Sequence, residues 1–308
     1  MNHLVVVAVI GPTGIGKSQL AIRLAQTFNG EIVSADSRQV YRHLDIGTAK
    51  PSPEELSLIP HHLINIVNPD EDFNLAQYQQ LAYRAIEDIQ QRNKLALLVG
   101  GSGQYVWSVL EGWGIPQVPP DLEFRHSLEE KATKFGKDKL YHELMEVDPI
   151  AAQRIDRHNV RRVIRALEVH SGTRTPPSRL QYKKTPPFNT LIIGLTADRG
   201  ELYHRIDLRV DQMIKQGLVA EVEKLVNMGY DLNLPAMSGI GYKQIGMFLK
   251  GELTLAAAIA QIKFETHRVA RHQYAWFQLK DDRIKWFDIK DSIGSEMVRL
   301  MAGFLRGE

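Results

Sequence analysis

Leu4-Val5-Val6-Val7-Ala8-Val9-Ile10-Gly11-Pro12-Thr13-Gly14-Ile15-Gly16-Lys17-Ser18 opens the chain with an apolar, mostly β-branched run that breaks into glycine. Such a run suits a strand buried on both faces in a parallel sheet. Residues Gly11 to Ser18 match G-x-x-x-x-G-K-[ST], with a strand before and a helix after, as that motif requires. The helix that follows is read from Leu20, Leu24 and Phe28, and Asn29-Gly30 stops it. The glycines let backbone N–H groups turn inward, the helix N-terminus favours negative charge, and Lys17 adds a full positive one. Gly11, Pro12, Thr13, Gly14, Ile15, Gly16, Lys17 and Ser18 are therefore read as a cradle for a diphosphate or triphosphate. The Ser18 hydroxyl is placed to ligate Mg²⁺.

Further along, Glu31 to Ala35, Leu95 to Val99 and Thr190 to Leu195 are short apolar runs that read as strands. Asn74 is a candidate N-cap for a helix to about Arg92. Strands alternating with helices predict an α/β fold, an open parallel sheet with helices on both faces. Between Pro116 and Pro187 the texture changes to helix without strands, which predicts a helical insertion. The expected division is a core of residues 1–115 and 188–308 with an insertion of 116–187. From Glu201 onward the pattern reads as almost all helical.

The chain has 308 residues, enough to bury a sizeable core, and no cysteine. A disulfide framework, a thiol nucleophile and a thiolate metal site are excluded, and a cytoplasmic setting is the expectation. No apolar run reaches the length of a membrane helix, so no membrane partner is expected. Formal net charge is +2, so any nucleic-acid footprint must be local. From Arg154 to Lys184 nine basic residues face two acidic ones, Asp156 and Glu168. Such a patch suits RNA phosphates or an ordinary solvated helix face. Arg161 and Arg165, four residues apart, share one helix face.

Two strand ends carry candidate chemistry. Asp36 follows the second strand, at the edge where open α/β sheets bind ligands. It could serve as a general base or simply close an Asx-turn. Ser102 lies in Gly100-Gly101-Ser102-Gly103, where a P-loop hydrolase normally carries a carboxylate for its metal. That missing carboxylate weighs against phosphoryl transfer. Arg209 falls on the flank of the apolar stripe Leu202, Ile206, Val210 and Met213, and needs an anion, either a structural carboxylate or a bound phosphate. His61, His62, His267 and His272 lack metal-ligand spacing and read as core or surface histidines. Trp276 and Phe277 read as core aromatics.

GPTGIGKS (11–18), SADSRQVYRHLDIGTAKP (34–51), LLVGGSGQY (97–105), RVIRALEV (162–169) and GIGYKQI (239–245) together resemble the tRNA dimethylallyltransferases, or tRNA isopentenyltransferases, over essentially the whole chain. The resemblance implies a P-loop kinase-like core and an insertion that grips the tRNA anticodon stem-loop. It implies transfer of a dimethylallyl group from dimethylallyl diphosphate to N6 of the adenine 3′ of the anticodon, with Mg²⁺ assisting. By similarity, Asp36 is the base at N6, Ser102 lies near the reacting centre where the family more often has Thr, and Arg209 meets the diphosphate. Asp36, Ser37, Arg38, Gln39, Ser102, Arg125, Arg161, Arg162, Val163, Ile164 and Arg165 correspond to tRNA-contacting positions. His267 and His272 stand where the family usually has Arg. A monomer is expected. Two other readings stay open on the residues: a P-loop kinase of a small metabolite or nucleotide, and a tRNA-binding module with a vestigial phosphate loop.

Overall fold

The computed structural model describes residues 4–180, 182–186, 188–290 and 293–308. Six strands, β1 (Leu4–Ile10), β2 (Gly30–Ala35), β3 (His61–His62), β4 (Leu95–Gly100), β5 (Phe188–Thr196) and β6 (Ile284–Asp288), form one sheet in the order β3-β2-β4-β1-β5-β6. Every pairing in it is parallel. All six residues of β2 and of β4 are buried. Since side chains alternate between faces, both faces of the sheet are covered.

Helices α1 (Lys17–Thr27), α2 (Pro53–Leu58), α3 (Leu75–Gln91) and α4 (Gly103–Leu110) alternate with the first strands. Helices α5 (Leu122–Phe135), α6 (Lys137–Val147), α7 (Pro149–Arg154), α8 (Val160–Thr173) and α9 (Pro177–Leu180) follow without a strand among them. Helices α10 (Arg199–Lys215), α11 (Leu218–Asn227), α12 (Tyr242–Leu249), α13 (Leu255–Trp276) and α14 (Ile293–Arg306) come after β5. The chain divides into two compact units, 1–110 with 186–308, and 111–185.

The helix starts show how local chemistry differs. Asn74 accepts N–H bonds from Ala76 and Gln77, and Gln77 reaches back to close a capping box on α3. By contrast, α1 starts at Gly16 with φ of 103°, has no side-chain cap and carries no acidic residue in its first turn. Its first N–H groups are left for a ligand.

Two strands differ from the sequence reading. The two-residue β3 is too short to produce a period. β6 lies in the region read as helical: its five residues, Ile-Lys-Trp-Phe-Asp, alternate too briefly to outweigh the long helical patterns around them. Trp276 also departs from its expected core position. Phe277 is 1% exposed, whereas Trp276 is 39% exposed, with its indole close against Gly103.

The 111–185 unit has its own apolar cluster, built from Leu128, Leu140, Leu144, Ala152, Val163, Ile164 and Leu167. Asp148 fixes the turn into α7 by accepting from Ala151 N–H, and it also accepts the N–H and hydroxyl of Ser178. Among the described residues, no helix is long and apolar enough to cross a membrane.

Candidate active site

Register places three strand ends side by side. Ile10 pairs with Gly100, and Gly100 pairs with Ala35. The next residues, Gly11, Gly101 and Asp36, therefore leave the sheet together at its carboxyl edge, around a cavity of about 420 Å³. Thr13, Lys17, Ser18, Asp36, Ser102, Arg209 and Gln273 all line it. The expected donor-side and strand-end residues are thus brought into one space.

Lys17 Nζ donates to Pro12 O at 2.8 Å. Enclosure of the ammonium, helped by the nearby positive charge of Arg209 and opposed by Asp36, pushes its pKa down to about 7. Burial also lowers the pKa of Arg209, against the opposing effect of Asp36. Among the described residues no carboxylate forms an ion pair with Arg209; Asp36 acts on it from the same cavity without direct contact. Two cations facing one cavity without full compensation create a site for a multiply charged anion.

Asp36 closes a turn and also lines the cavity. Its Oδ1 accepts the Arg38 N–H at 2.8 Å, which makes the turn an Asx-turn. Ser102 Oγ accepts the Ser37 N–H at 3.0 Å and lies 3.3 Å from Ser37 Oγ, which ties the β4 end to the loop after β2. Gln39 accepts the Ser34 hydroxyl at 2.9 Å. Arg38 is engaged by its own chain, donating to Pro235 O at 2.8 Å and to Ser238 Oγ at 3.3 Å.

No three His, Asp or Glu side chains converge on one point among the described residues. A cation here would take most of its ligands from substrate oxygens, with the Ser18 hydroxyl as the protein oxygen on the phosphate loop. That arrangement suits Mg²⁺, which commonly binds through substrate phosphates and keeps several waters.

The insertion residues separate into three groups. Arg161 and Arg162 are exposed. Arg125 donates to both oxygens of Glu168 at 2.8 and 2.9 Å; Arg165 pairs with the same carboxylate and donates to Val118 O at 2.9 Å. Glu168 is 2% exposed, and burial raises its pKa while the two arginines lower it to a net value below the ordinary one. Val163 and Ile164, expected among the RNA contacts, are 1% and 3% exposed and belong to the apolar cluster. Their side chains are consumed by packing and offer nothing to RNA.

Sequence reasoning missed two site residues. Gln273 on α13 accepts the Thr13 N–H at 2.8 Å and donates to Gly101 O at 2.9 Å. Arg205, one turn before Arg209 on α10, donates to Gly14 O at 3.3 Å. His62 pairs with Glu31 at 2.7 Å, and His267 stacks on Tyr203 with Asp207 at 2.9 Å, whereas His61 lines the cavity.

A tRNA dimethylallyltransferase of Dehalococcoides mccartyi is 50% identical over 297 residues, covering 96% of this chain and 91% of the relative. One from a Roseiflexus species is 52% identical over 272 residues, covering 88% and 89%. The solved tRNA isopentenylpyrophosphate transferase of Bacillus halodurans superposes with a TM-score of 0.71 at 39% identity, covering 99% of this chain and 96% of that one. A eukaryotic dimethylallyltransferase solved acting on tRNA gives a TM-score of 0.82 at 27% identity, covering 99% and 80%. The family model described as IPP transferase matches residues 39–280, and the chain belongs to the IPP transferase family.

Proposed function

We propose that this chain transfers a dimethylallyl group from dimethylallyl diphosphate to N6 of the adenine immediately 3′ of the anticodon in tRNA, releasing diphosphate. The observation that carries the reading is the cavity where Asp36 faces Lys17 and Arg209. An adenine amine is a weak nucleophile because its lone pair is delocalised into the ring. It needs a base beside it and a leaving group whose departing charge is absorbed. Asp36 takes the proton from N6 as the new C–N bond forms. Lys17, Arg209 and the uncapped N-terminus of α1 hold the diphosphate as the allylic C–O bond breaks. Ile206, Val210, Met213, Ile262 and Val269 give the same cavity an apolar wall for the five-carbon group. Mg²⁺, held at Ser18 with the diphosphate oxygens, would supply further charge neutralisation on the leaving group. The adenine must leave the anticodon-loop stack to reach this space. The exposed Arg161 and Arg162 supply backbone contacts to the anticodon stem.

The kinase reading lacks its metal carboxylate after β4, where Val99 is followed by Gly100-Gly101-Ser102. Incubation with unmodified tRNA, Mg²⁺ and dimethylallyl diphosphate should yield an adenosine heavier by one dimethylallyl group in nucleoside mass analysis. Consumption of ATP with no prenylated adenosine would reverse the assignment.

A further inference from the structure

One carboxylate outside the reacting groups anchors a turn on the wall of the cavity. Glu221, in the first turn of α11, accepts the Ile46 N–H at 2.8 Å and the Asp45 N–H at 3.1 Å on Oε2. Its Oε1 accepts the Gly47 N–H at 3.2 Å and the Tyr242 hydroxyl at 2.5 Å. Four donors fill the acceptor capacity of the carboxylate. No Lys, Arg or His forms an ion pair with it among the described residues; its direct partners are backbone N–H groups and one phenol, with Lys50 acting on it from further off. The turn must come close to do this: a Cβ on Gly47 would lie 2.5 Å from the Tyr242 ring.

The other end of this turn reaches the loop that carries the base. Thr48 O and Ala49 O accept from Gln39 Nε2 at 3.3 and 3.1 Å. Gln39 Oε1 in turn accepts from Ser34 Oγ on β2, two residues before Asp36. Gln39, Thr48, Ala49 and Tyr242 line the cavity with Asp36. The donor end is built from other parts, with Lys17 anchored on Pro12 and Arg209 carried by α10.

We propose that Glu221 is a positioning residue for prenyl transfer: by fixing the 45–49 turn it holds Gln39, and with it the Asp36–Gln39 segment, in register with the acceptor adenine. The inference rests on the activity proposed above and adds a residue that touches neither substrate. Glu221→Gln keeps the size of the side chain but turns an NH₂ group toward backbone N–H donors, so the turn loses its anchor.

The test compares wild type, Glu221→Gln, Glu221→Asp and Gly47→Ala, all full-length. Steady-state kinetics use unmodified tRNA at saturating dimethylallyl diphosphate, and calorimetry gives the Kd for that donor. Misplacing a reacting group by a fraction of an ångström to 1 Å is expected to lower kcat by about ten- to a hundredfold. The expected result is that loss in Glu221→Gln, with donor Kd within about twofold of wild type, and partial recovery of kcat in Glu221→Asp. Gly47→Ala disturbs the same turn from its other side and should show the same split; it decides the matter if Glu221→Gln does not fold. A kcat and tRNA KM near wild type overturn the proposal. So does a donor Kd that weakens in step with kcat, because that marks general damage. Wild type that forms no prenylated adenosine sinks the activity itself, and does so before any variant is compared.

Discussion

The amide of Thr13 donates to Gln273 Oε1 at 2.8 Å, joining the phosphate loop to a helix 260 residues later. The same carboxamide donates to Gly101 O at 2.9 Å. Gly101 precedes Ser102, whose hydroxyl accepts from the backbone of Ser37 beside Asp36. One side chain thus braces the phosphate loop against the loop that carries Asp36. Gln273→Ala removes both bonds, each worth about 1 kcal/mol net. The expected outcome is a Kd for dimethylallyl diphosphate weakened by about tenfold or more, read by calorimetry. An unchanged Kd would show that the loop holds its shape without this brace.

Asp36 combines a turn-forming bond with a place in the cavity, and the two roles can be separated. Asp36→Asn retains an oxygen for the Arg38 N–H but cannot take a proton. Loss of a positioned base costs about 10²–10⁴-fold in rate. The variant should therefore lose kcat by that range while binding donor as wild type does. Activity within a few-fold of wild type in single-turnover assays would remove Asp36 as the base.

Much of this site was legible in the primary structure because it depends on local pattern. The strand–glycine–helix sequence of residues 4–18 and the end of β2 at Asp36 each carry their own signal. Gln273, Arg205 and Glu221 carry none, since their partners lie 260, 191 and about 175 residues away. Glu168 shows a subtler limit. Counting charge along 154–184 registers it as one opposing carboxylate, but only the fold reveals that it occupies two arginines. Val163 and Ile164 could have been read correctly: with Leu167 they form an i, i+1, i+4 apolar stripe, the mark of a buried helix face.

Acid stability should depend on Glu31. This carboxylate is 1% exposed and receives Arg92, Lys94 and His62 at the sheet's edge. The Arg92 bonds, ahead of those from Lys94 and His62, hold its pKa far below the ordinary carboxylate range despite desolvation. A depressed folded-state pKa contributes stability above the unfolded value of about 4.3 and loses it as pH falls toward the folded one. Glu31→Gln should destabilise by about 2 kcal/mol at pH 7. Urea unfolding from pH 7 to pH 3 should show the gap between wild type and variant narrowing below about pH 4. A gap independent of pH would mean that the charge of Glu31 contributes nothing.

The basic surface of the insertion should divide by role. Arg125 and Arg165 are held on the buried Glu168, whereas Arg161 and Arg162 are exposed at the start of α8. Removing Arg125 leaves a buried carboxylate with half its compensation, so Arg125→Ala should lower the melting temperature of the protein. The double variant Arg161→Ala, Arg162→Ala touches no buried group and should melt as wild type does. Each phosphate contact contributes about 0.7–0.9 to the slope of log K against log salt. The double variant should therefore weaken tRNA binding and flatten that slope by up to about 2. Filter binding between 50 and 200 mM salt reads both quantities. A slope equal to wild type would place the RNA on a different face of the molecule.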